Sequence, residues 1–233
     1  VIGQSGLEAA YDDLLRGQDG RVRINTGFDG AVRHTAQLRQ AVPGAALVLT
    51  VDSFLQKALQ DALISQIHTL QTTKAAGAGR ECRAGAAVVV DVKTGGILVA
   101  ASVPGFDLNA CRADYAALAA DAAAPLLDRT AQGLYAPGSA FKPAVAAAAL
   151  TAGIDPAATV NCTGRYGFYS GYQPGCLQYG HSGPIDLRTA LEHSCNIFFY
   201  DVGRRLGVDT FSAMAQQLGL AAPTGVEVAE ARG

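Results

Sequence analysis

At 233 residues, 49% of them hydrophobic and 16% charged, the chain has the composition of a folded domain with a sizeable core and not of a disordered segment. A net charge of -2 offers no basic surface for nucleic acid or an anionic membrane, so no nucleic-acid partner is expected. No apolar run reaches the roughly 18 residues that a membrane-spanning helix needs.

The chain opens at Val1 without an initiator Met or a charged-then-apolar leader, and is expected to be a piece of a longer protein. "SGLEAAYDDLLRG" (Ser5–Gly17) predicts a short helix, with Ser5 and Glu8 as a capping box and Gly17 as its stop. "ALVLTV" (46–51) predicts a strand. From Asp52 to Leu70 an amphipathic helix is predicted, with Leu55, Leu59, Ala62, Leu63, Ile67 and Leu70 on one side. A flexible break is expected at "AAGAG", 75–79. Residues 85–103, "GAAVVVDVKTGGILVAASV", predict two strands joined by a tight turn at Lys93–Gly96. Pro104–Asn109 reads as a loop and Arg112–Asp121 as a helix.

Downstream the pattern turns helical. Ser139–Ala152 ends at Gly153, and Leu187–Ser194 follows Asp186 as N-cap. Asn196–Leu206 ends at Gly207, and a last helix, capped by Asp209, closes at Gly219. There is no internal repeat. Strands followed by a run of helices predict an α+β domain, with helices grouped beside an antiparallel sheet.

Cys82, Cys111, Cys162, Cys176 and Cys195 form no CxxC, and the four histidines show no metal-ligand spacing, so no zinc or other metal site is expected. Cys162 and Cys176 bracket "CTGRYGFYSGYQPGC", a hairpin or loop by composition. A disulfide between them and two separate thiols both remain open.

The candidate chemistry starts at "YAPGSAFKPAVAAAAL" (Tyr135–Leu150). Ser139 follows the turn dipeptide Pro137-Gly138 and opens a helix, where backbone amides are free to meet an oxyanion. Lys142 lies three residues on, on a neighbouring point of the same face. Burial against Phe141 and the alanine run would lower its pKa from about 10.4 and make a neutral amine available as a base. Such an amine beside the hydroxyl would make Ser139 a nucleophile. Pro143 should make the first turn irregular. The plain alternative is a helix-start serine with a lysine stem laid along the surface. Nine serines and four lysines predict only ~0.15 accidental SxxK spacings.

"LEHSCNIFFY" supplies Ser194-Cys195-Asn196, an SxN in the break between two helices. Its hydroxyl could relay a proton and its carboxamide could hold a substrate amide; helix capping is the competing role. Cys195, between them, should point the other way, into apolar packing. SxxK, SxN and KTG together mark penicillin-recognising serine enzymes. The literal Lys93-Thr94-Gly95 is rejected as the third motif. It precedes SxxK, where the signature puts KTG last, and it occupies a strand-pair turn.

With these residues the chain resembles the class B penicillin-binding proteins, monofunctional peptidoglycan D,D-transpeptidases. "SGLEAAYDDLLRGQDG" is similar to the segment joining their N-terminal pedestal to the catalytic domain, and "LTVDSFLQKAL" to that domain's first helix. "GAAVVVDVKTGGILVAASVPGFDLN" is similar to its first strand pair. "YAPGSAFKP" and "ALEHSCNIFFYDVGRRLG" resemble the surroundings of the first two motifs, and "PTGVEVAEARG" the stretch beyond. The resemblance implies the end of a pedestal or linker over 1–43 and a transpeptidase domain over 44–233, truncated before the KTG strand. It implies a penicillin-binding transpeptidase or serine β-lactamase-like fold with a helical subdomain, incomplete here.

On the same basis, Ser139 would attack the carbonyl between the last two D-alanines of a peptidoglycan stem peptide, with Lys142 as base. Ser194 would pass the proton to the leaving amine and Asn196 would hold the peptide amide. β-Lactams would acylate Ser139, and no metal or organic cofactor would be needed. The resemblance further implies membrane-embedded cell-wall polymerase partners. It also implies a bacterial cell-membrane location, with the catalytic domain on the extracytoplasmic face and the anchor outside this chain. Without the KTG strand, the chain alone is expected to have little activity and to expose sheet edge. Two rivals stand beside this reading. A serine β-lactamase or β-lactam sensor could use Glu227 or Glu230, although the pedestal-like segment argues against it. A non-catalytic scaffold would not need Ser139, Lys142, Ser194 and Asn196 together.

Overall fold

The helix expected from Ser5 is broken in the computed structural model, which describes residues 2–73, 79–177 and 180–231. Helices α1 (Gly6–Ala10) and α2 (Asp12–Leu15) meet at Tyr11, whose φ of -117° is not helical. The capping box does not form, since the Ser5 side chain makes no cap bond. Asp12 Oδ1 instead accepts from the Gly3 amide at 2.8 Å. By Cα packing the chain forms two units, one of Val1–Gly133 with Gly225–Ala231 and one around Leu134–Thr224.

In the first unit, β1 (Arg21–Thr26) and β2 (Val32–Arg39) make an antiparallel hairpin that the sequence reading did not anticipate. Its signal is Val22, Ile24, Val32, Ala36 and Leu38 alternating with polar residues around Gly27–Gly30. Every residue of the two strands but Ala36 is exposed, so no hydrophobic face marked them as core elements.

The segment 46–51 does not form the expected strand, and the chain bends at Thr50. A strand needs a ladder, and this segment offers one side-chain bond, Thr50 Oγ1 to Ile97 O at 2.7 Å. Val48 stays 92% exposed. Helix α3 (Ser53–Thr72) forms as expected behind Asp52, whose carboxylate accepts from the Phe54 and Leu55 amides. Leu59, Leu63, Ile67 and Leu70 are half-buried, while Leu55 and Ala62 are exposed. The break expected at 75–79 lies outside the described residues apart from Gly79.

Strands β3 (Gly85–Val90) and β4 (Ile97–Val103) pair antiparallel, with Val99 and Ala101 fully buried in β4. In the turn, Asp91 accepts from the Lys93 amide and the Thr94 hydroxyl, both at 2.9 Å. These bonds lower the Asp91 pKa, with the Lys93 amide the largest cause. Lys93-Thr94-Gly95 is therefore turn chemistry. Two devices seal the free edge of β4. The Asp52 amide donates to Leu98 O at 3.0 Å. The Gln56 carboxamide then imitates a strand partner, accepting from Ala100 N at 2.9 Å and donating to Ala100 O at 3.0 Å. Helix α4 (Cys111–Ala120) follows as expected. Arg129, 8% exposed, donates to the Ala124 and Leu127 carbonyls and caps the turn below it.

The second unit begins with a 3-10 turn, Gly138–Phe141, running into α5 (Lys142–Thr151). This is the irregular start that Pro143 requires. Strands β5 (Val160–Cys162) and β6 (Gly183–Ile185), too short to leave a periodic signal, pair antiparallel. Helices α6 (Leu187–Glu192), α7 (Asn196–Leu206) and α8 (Val208–Gln217) complete it. Asp186 caps α6 through Thr189 N at 2.8 Å, as expected. Gly207, with φ of 76°, stands between α7 and α8, so Asp209 lies in the first turn of α8 and does not cap it. The alanines of α5 let α7 and α8 approach closely, and Phe198 and Val202 fill the core at 2% and 1% exposure. The mixed helices and antiparallel strand pairs make an α+β fold, and no described helix is long and apolar enough to cross a membrane.

A polar network pins the outer side of α7. The Tyr166 hydroxyl donates to Asp201 Oδ1 at 3.0 Å and accepts from Arg204 Nε at 3.0 Å. Arg205 Nε donates to Asp201 Oδ2 at 2.6 Å. Burial alone would raise the Asp201 pKa, but bonds from Arg205, Arg204 and Tyr166 outweigh it and hold the value below the ordinary 3.8. A depressed folded pKa contributes stability above the unfolded value and loses it as pH falls through the folded one. Asp201→Asn should therefore destabilise the unit by about 1–2 kcal/mol at neutral pH. Thermal melts at about pH 6 and about pH 3 should show the gap to wild type narrowing in acid. A gap independent of pH would mean that the network's charge contributes nothing.

Candidate active site

Four side chains predicted from sequence meet in the second unit. Ser139 is presented, exposed, by the 3-10 turn directly after Gly138, whose φ of 55° is a conformation open to glycine. Lys142 is one turn on and half-buried. Ser194 and Asn196 come from the junction of α6 and α7. There Ser194 is held at φ of 52°, in the left-handed region, at an expected cost of about 1–3 kcal/mol. Strain of this kind persists where surrounding packing over-determines it, and Cys195, Ile197 and Phe198 on the next residues are all buried.

Lys142 Nζ donates to Ser194 O at 2.7 Å, to Ser194 Oγ at 2.9 Å and to Asn196 Oδ1 at 2.7 Å. These use all three donors of an ammonium. Ser194 Oγ in turn donates to Ser139 Oγ at 2.9 Å. Ser194 thus lies between lysine and nucleophile, and no described hydrogen bond joins Lys142 to Ser139 directly. The sequence reading had the amine beside the Ser139 hydroxyl; the structure inserts a second hydroxyl. Burial lowers the Lys142 pKa, opposed by the nearby Cys176 and Cys195 thiols. Its ammonium lies 5.6 Å from the Phe199 ring centroid. Asn196 Nδ2 donates to Gly175 O at 3.2 Å, which fixes the carboxamide's orientation.

Cys195 is fully buried in the hydrophobic core of the second unit, as expected, and its sulfur has polar company there. Cys162, Cys176 and Cys195 offer their sulfurs, and His181 a ring nitrogen, all within 4.8 Å of one another. No disulfide joins Cys162 to Cys176. The sequence criterion of local chelate spacing did not pick out this group. It failed because the ligands are spread over the end of β5, the hairpin after it, the loop before β6 and the α6–α7 junction. Only Cys176 and His181, with four residues between them, are local to each other. The available signal was three of the five cysteines and two of the four histidines gathered within 162–195. Three thiolates and an imidazole suit a tetrahedral zinc-type ion. Bonds of about 2.3 Å to sulfur and about 2.0 Å to nitrogen need the atoms to close in by only about 1 Å. As the site stands, burial pushes the Cys195 thiol up to about 12, with the Cys162 side chain adding to it. Glu227 and Glu230 lie in the 225–231 segment, which packs with the first unit.

A family model described as "Penicillin binding protein transpeptidase domain" matches residues 85–233, and one described as "Penicillin-binding Protein dimerisation domain" matches residues 1–49. The chain is 32% identical to the peptidoglycan D,D-transpeptidase MrdA of Haemophilus influenzae over 98% of its own length and 34% of the relative's. It is 33% identical to MrdA of Escherichia coli K12, over 99% of this chain and 35% of that one. The chain thus spans about a third of these curated relatives. Among solved structures, one described as "Structural coordination of polymerization and crosslinking by a peptidoglycan synthase complex" matches with a TM-score of 0.77 at 35% identity, over 100% of this chain and 42% of that one. Pseudomonas aeruginosa PBP2, in complex with WCK 5153, matches with a TM-score of 0.73 at 29% identity, over 100% of this chain and 46% of that one.

Proposed function

The chain belongs to the penicillin-binding protein transpeptidase family, and from that premise we propose that it carries the acylating half of a peptidoglycan D,D-transpeptidase site. The observation that carries this reading is the relay from Lys142 Nζ through Ser194 Oγ to Ser139 Oγ, 2.9 Å at each step. Ser139 is the nucleophile, attacking the carbonyl between the last two D-alanines of a stem peptide. Its proton passes through Ser194 to a neutral Lys142, and returns by Ser194 to the departing D-alanine amine. An ester on Ser139 remains, which an amine from a neighbouring strand resolves into a cross-link. Asn196, oriented by Gly175 O, donates to or accepts from the substrate amide. β-Lactams acylate the same oxygen.

Residues 1–43 form the end of the pedestal or linker and 44–233 belong to the transpeptidase domain. The dimerisation model's span of 1–49 supports the first assignment. The protein works on the extracytoplasmic face of a bacterial membrane with a membrane-embedded polymerase. The similarity to a chain of a peptidoglycan synthase complex supports that partner.

The test uses the full-length protein. Nascent glycan strands bearing D-Ala-D-Ala stem peptides should release D-alanine and gain cross-links, and a chromogenic cephalosporin should be turned over slowly or not at all. Rapid cephalosporin turnover without D-alanine release would favour a β-lactamase instead. Inactivity in both assays would favour the scaffold reading.

A further inference from the structure

The chain has eight tyrosines and no tryptophan, and half of those tyrosines line one cleft. Tyr166, Tyr169, Tyr172 and Tyr200, with Pro174 and Arg204, enclose about 320 Å³ between the loop after β5 and the outer side of α7. Its floor is fixed. Tyr166 is buried, and its hydroxyl is tied to Asp201 and Arg204. The Arg204 guanidinium lies 4.0 Å from the Phe168 ring centroid, and the Tyr166 ring packs against Tyr169 and Tyr200 with centroids 6.4 and 5.9 Å away. The walls are open. Tyr169, Tyr172 and Tyr200 are 51%, 72% and 38% exposed, so core packing accounts for Tyr166 and leaves these other rings facing solvent. The cleft also adjoins the acylation site. Asn196, Tyr200 and Arg204 recur every four residues along α7 and share one side of it. Pro174 immediately precedes Gly175, whose carbonyl orients the Asn196 carboxamide.

We propose that this cleft is a saccharide subsite, in which a pyranose ring of the glycan strand stacks on tyrosine while the strand's stem peptide reaches Ser139. The proposal rests on the reading of Ser139 given above and adds where the sugar part of that substrate is held. A pyranose ring offers weakly positive C–H groups on its faces and hydroxyls around its edge. Tyrosine matches both, with a negative ring face for the C–H groups and a hydroxyl for the edge. Pro174 is the only aliphatic group among the described residues of the lining, so the cleft is not built as a pocket for an apolar anchor. Its volume is at the small end of the roughly 300–1,000 Å³ usual for small-molecule pockets, which suits one ring and its substituents. Aromatic rings beside an arginine also suit nucleic-acid bases, but a chain with a net charge of -2 has no basic surface to hold the phosphates. The spacing fits as well. Tyr200 lies one turn beyond Asn196, about 6 Å along α7, and each extended peptide residue spans about 3.3–3.6 Å. A stem peptide held at Asn196 therefore reaches the cleft within about two or three residues.

The experiment uses the full-length protein and a sugar-only probe, the β-1,4-linked tetramer of N-acetylglucosamine. Binding is read by saturation-transfer NMR, with a fluorescent penicillin reporting Ser139 separately. Wild type should transfer saturation to the tetramer's ring protons, and the double variant Tyr169→Ala/Tyr172→Ala should lose most of that transfer. Tyr172→Phe, which keeps the ring, should retain it. In cross-linking assays the double variant's kcat/KM for glycan strands, relative to that for a sugar-free stem peptide, should fall about tenfold, mostly through KM. Tyr115→Ala, which alters an exposed tyrosine on α4, should match wild type in both measurements. Wild type that labels with penicillin but transfers nothing to the tetramer overturns the subsite. So does a double variant that binds the tetramer and selects strands as wild type does. Binding of a proline-rich peptide in place of the tetramer would make the cleft a peptide groove and overturn it likewise. Tetramer binding that is lost in the double variant, in a protein whose Ser139 never labels, would uphold the cleft and overturn the reading of Ser139.

Discussion

Ser139→Ala in the full-length protein is expected to abolish covalent labelling by a fluorescent penicillin, with acylation slower by at least about 10⁴-fold. Intact-mass analysis should show the adduct on wild type and none on the variant. The size of the effect follows from the chemistry: the acyl group is carried on Ser139 Oγ, and the hydroxyl nearest to it is poorly placed to replace it. Ser194 Oγ lies 2.9 Å away but already accepts from Lys142 and sits on a strained residue held by buried neighbours. Ser139 is exposed and its side chain packs no core, so the variant should melt within about 0.5 kcal/mol of wild type. Loss of labelling with an unchanged melt isolates chemistry from folding. Labelling at the wild-type rate would remove Ser139 from the nucleophile's place. Ser194→Ala should still label, but more slowly, because the relay is broken and the acceptor oxygen is not.

What could be read from sequence divides by the range of the interaction. Asp52 before α3, Asp186 before α6 and Gly207 after α7 act on their own first or last turns, and each is where local chemistry puts it. The Lys93–Gly96 turn is equally local, which is why its KTG could be set aside. Ser139, Lys142, Ser194 and Asn196 were legible as two short spacings, but their order in space was not. Ser194's place between Lys142 and Ser139 depends on one left-handed backbone angle 52 residues from the lysine. The failures run the same way. Residues 46–51 have strand composition but no ladder, because Gln56 and Asp52 already occupy the edge of β4. The β1–β2 hairpin was missed because it buries no face. The thiol cluster was missed because a ligand set assembled from four segments has no periodicity for a sequence reading to find.

Lys142→Arg offers the sharpest separation of position from proton transfer. An arginine could keep the positive charge and donate to Ser194 O and Asn196 Oδ1, but with a pKa above about 12 it stays protonated and cannot accept the Ser139 proton. Acylation is expected to fall by about 10²–10⁴-fold, and Lys142→Ala should do no better. The pH dependence carries the sign. Burial lowers the Lys142 pKa from 10.5, so the fraction of neutral amine grows as pH rises and reaches one half below that value. Wild-type acylation should therefore climb with pH, with its midpoint on the acid side of an ordinary lysine. The arginine variant should show no such limb, since no group in its relay loses a proton there. A variant that retains the limb would place the base elsewhere, and Lys142 would be left with the role its three short contacts already describe, that of holding Ser194 and Asn196 in register.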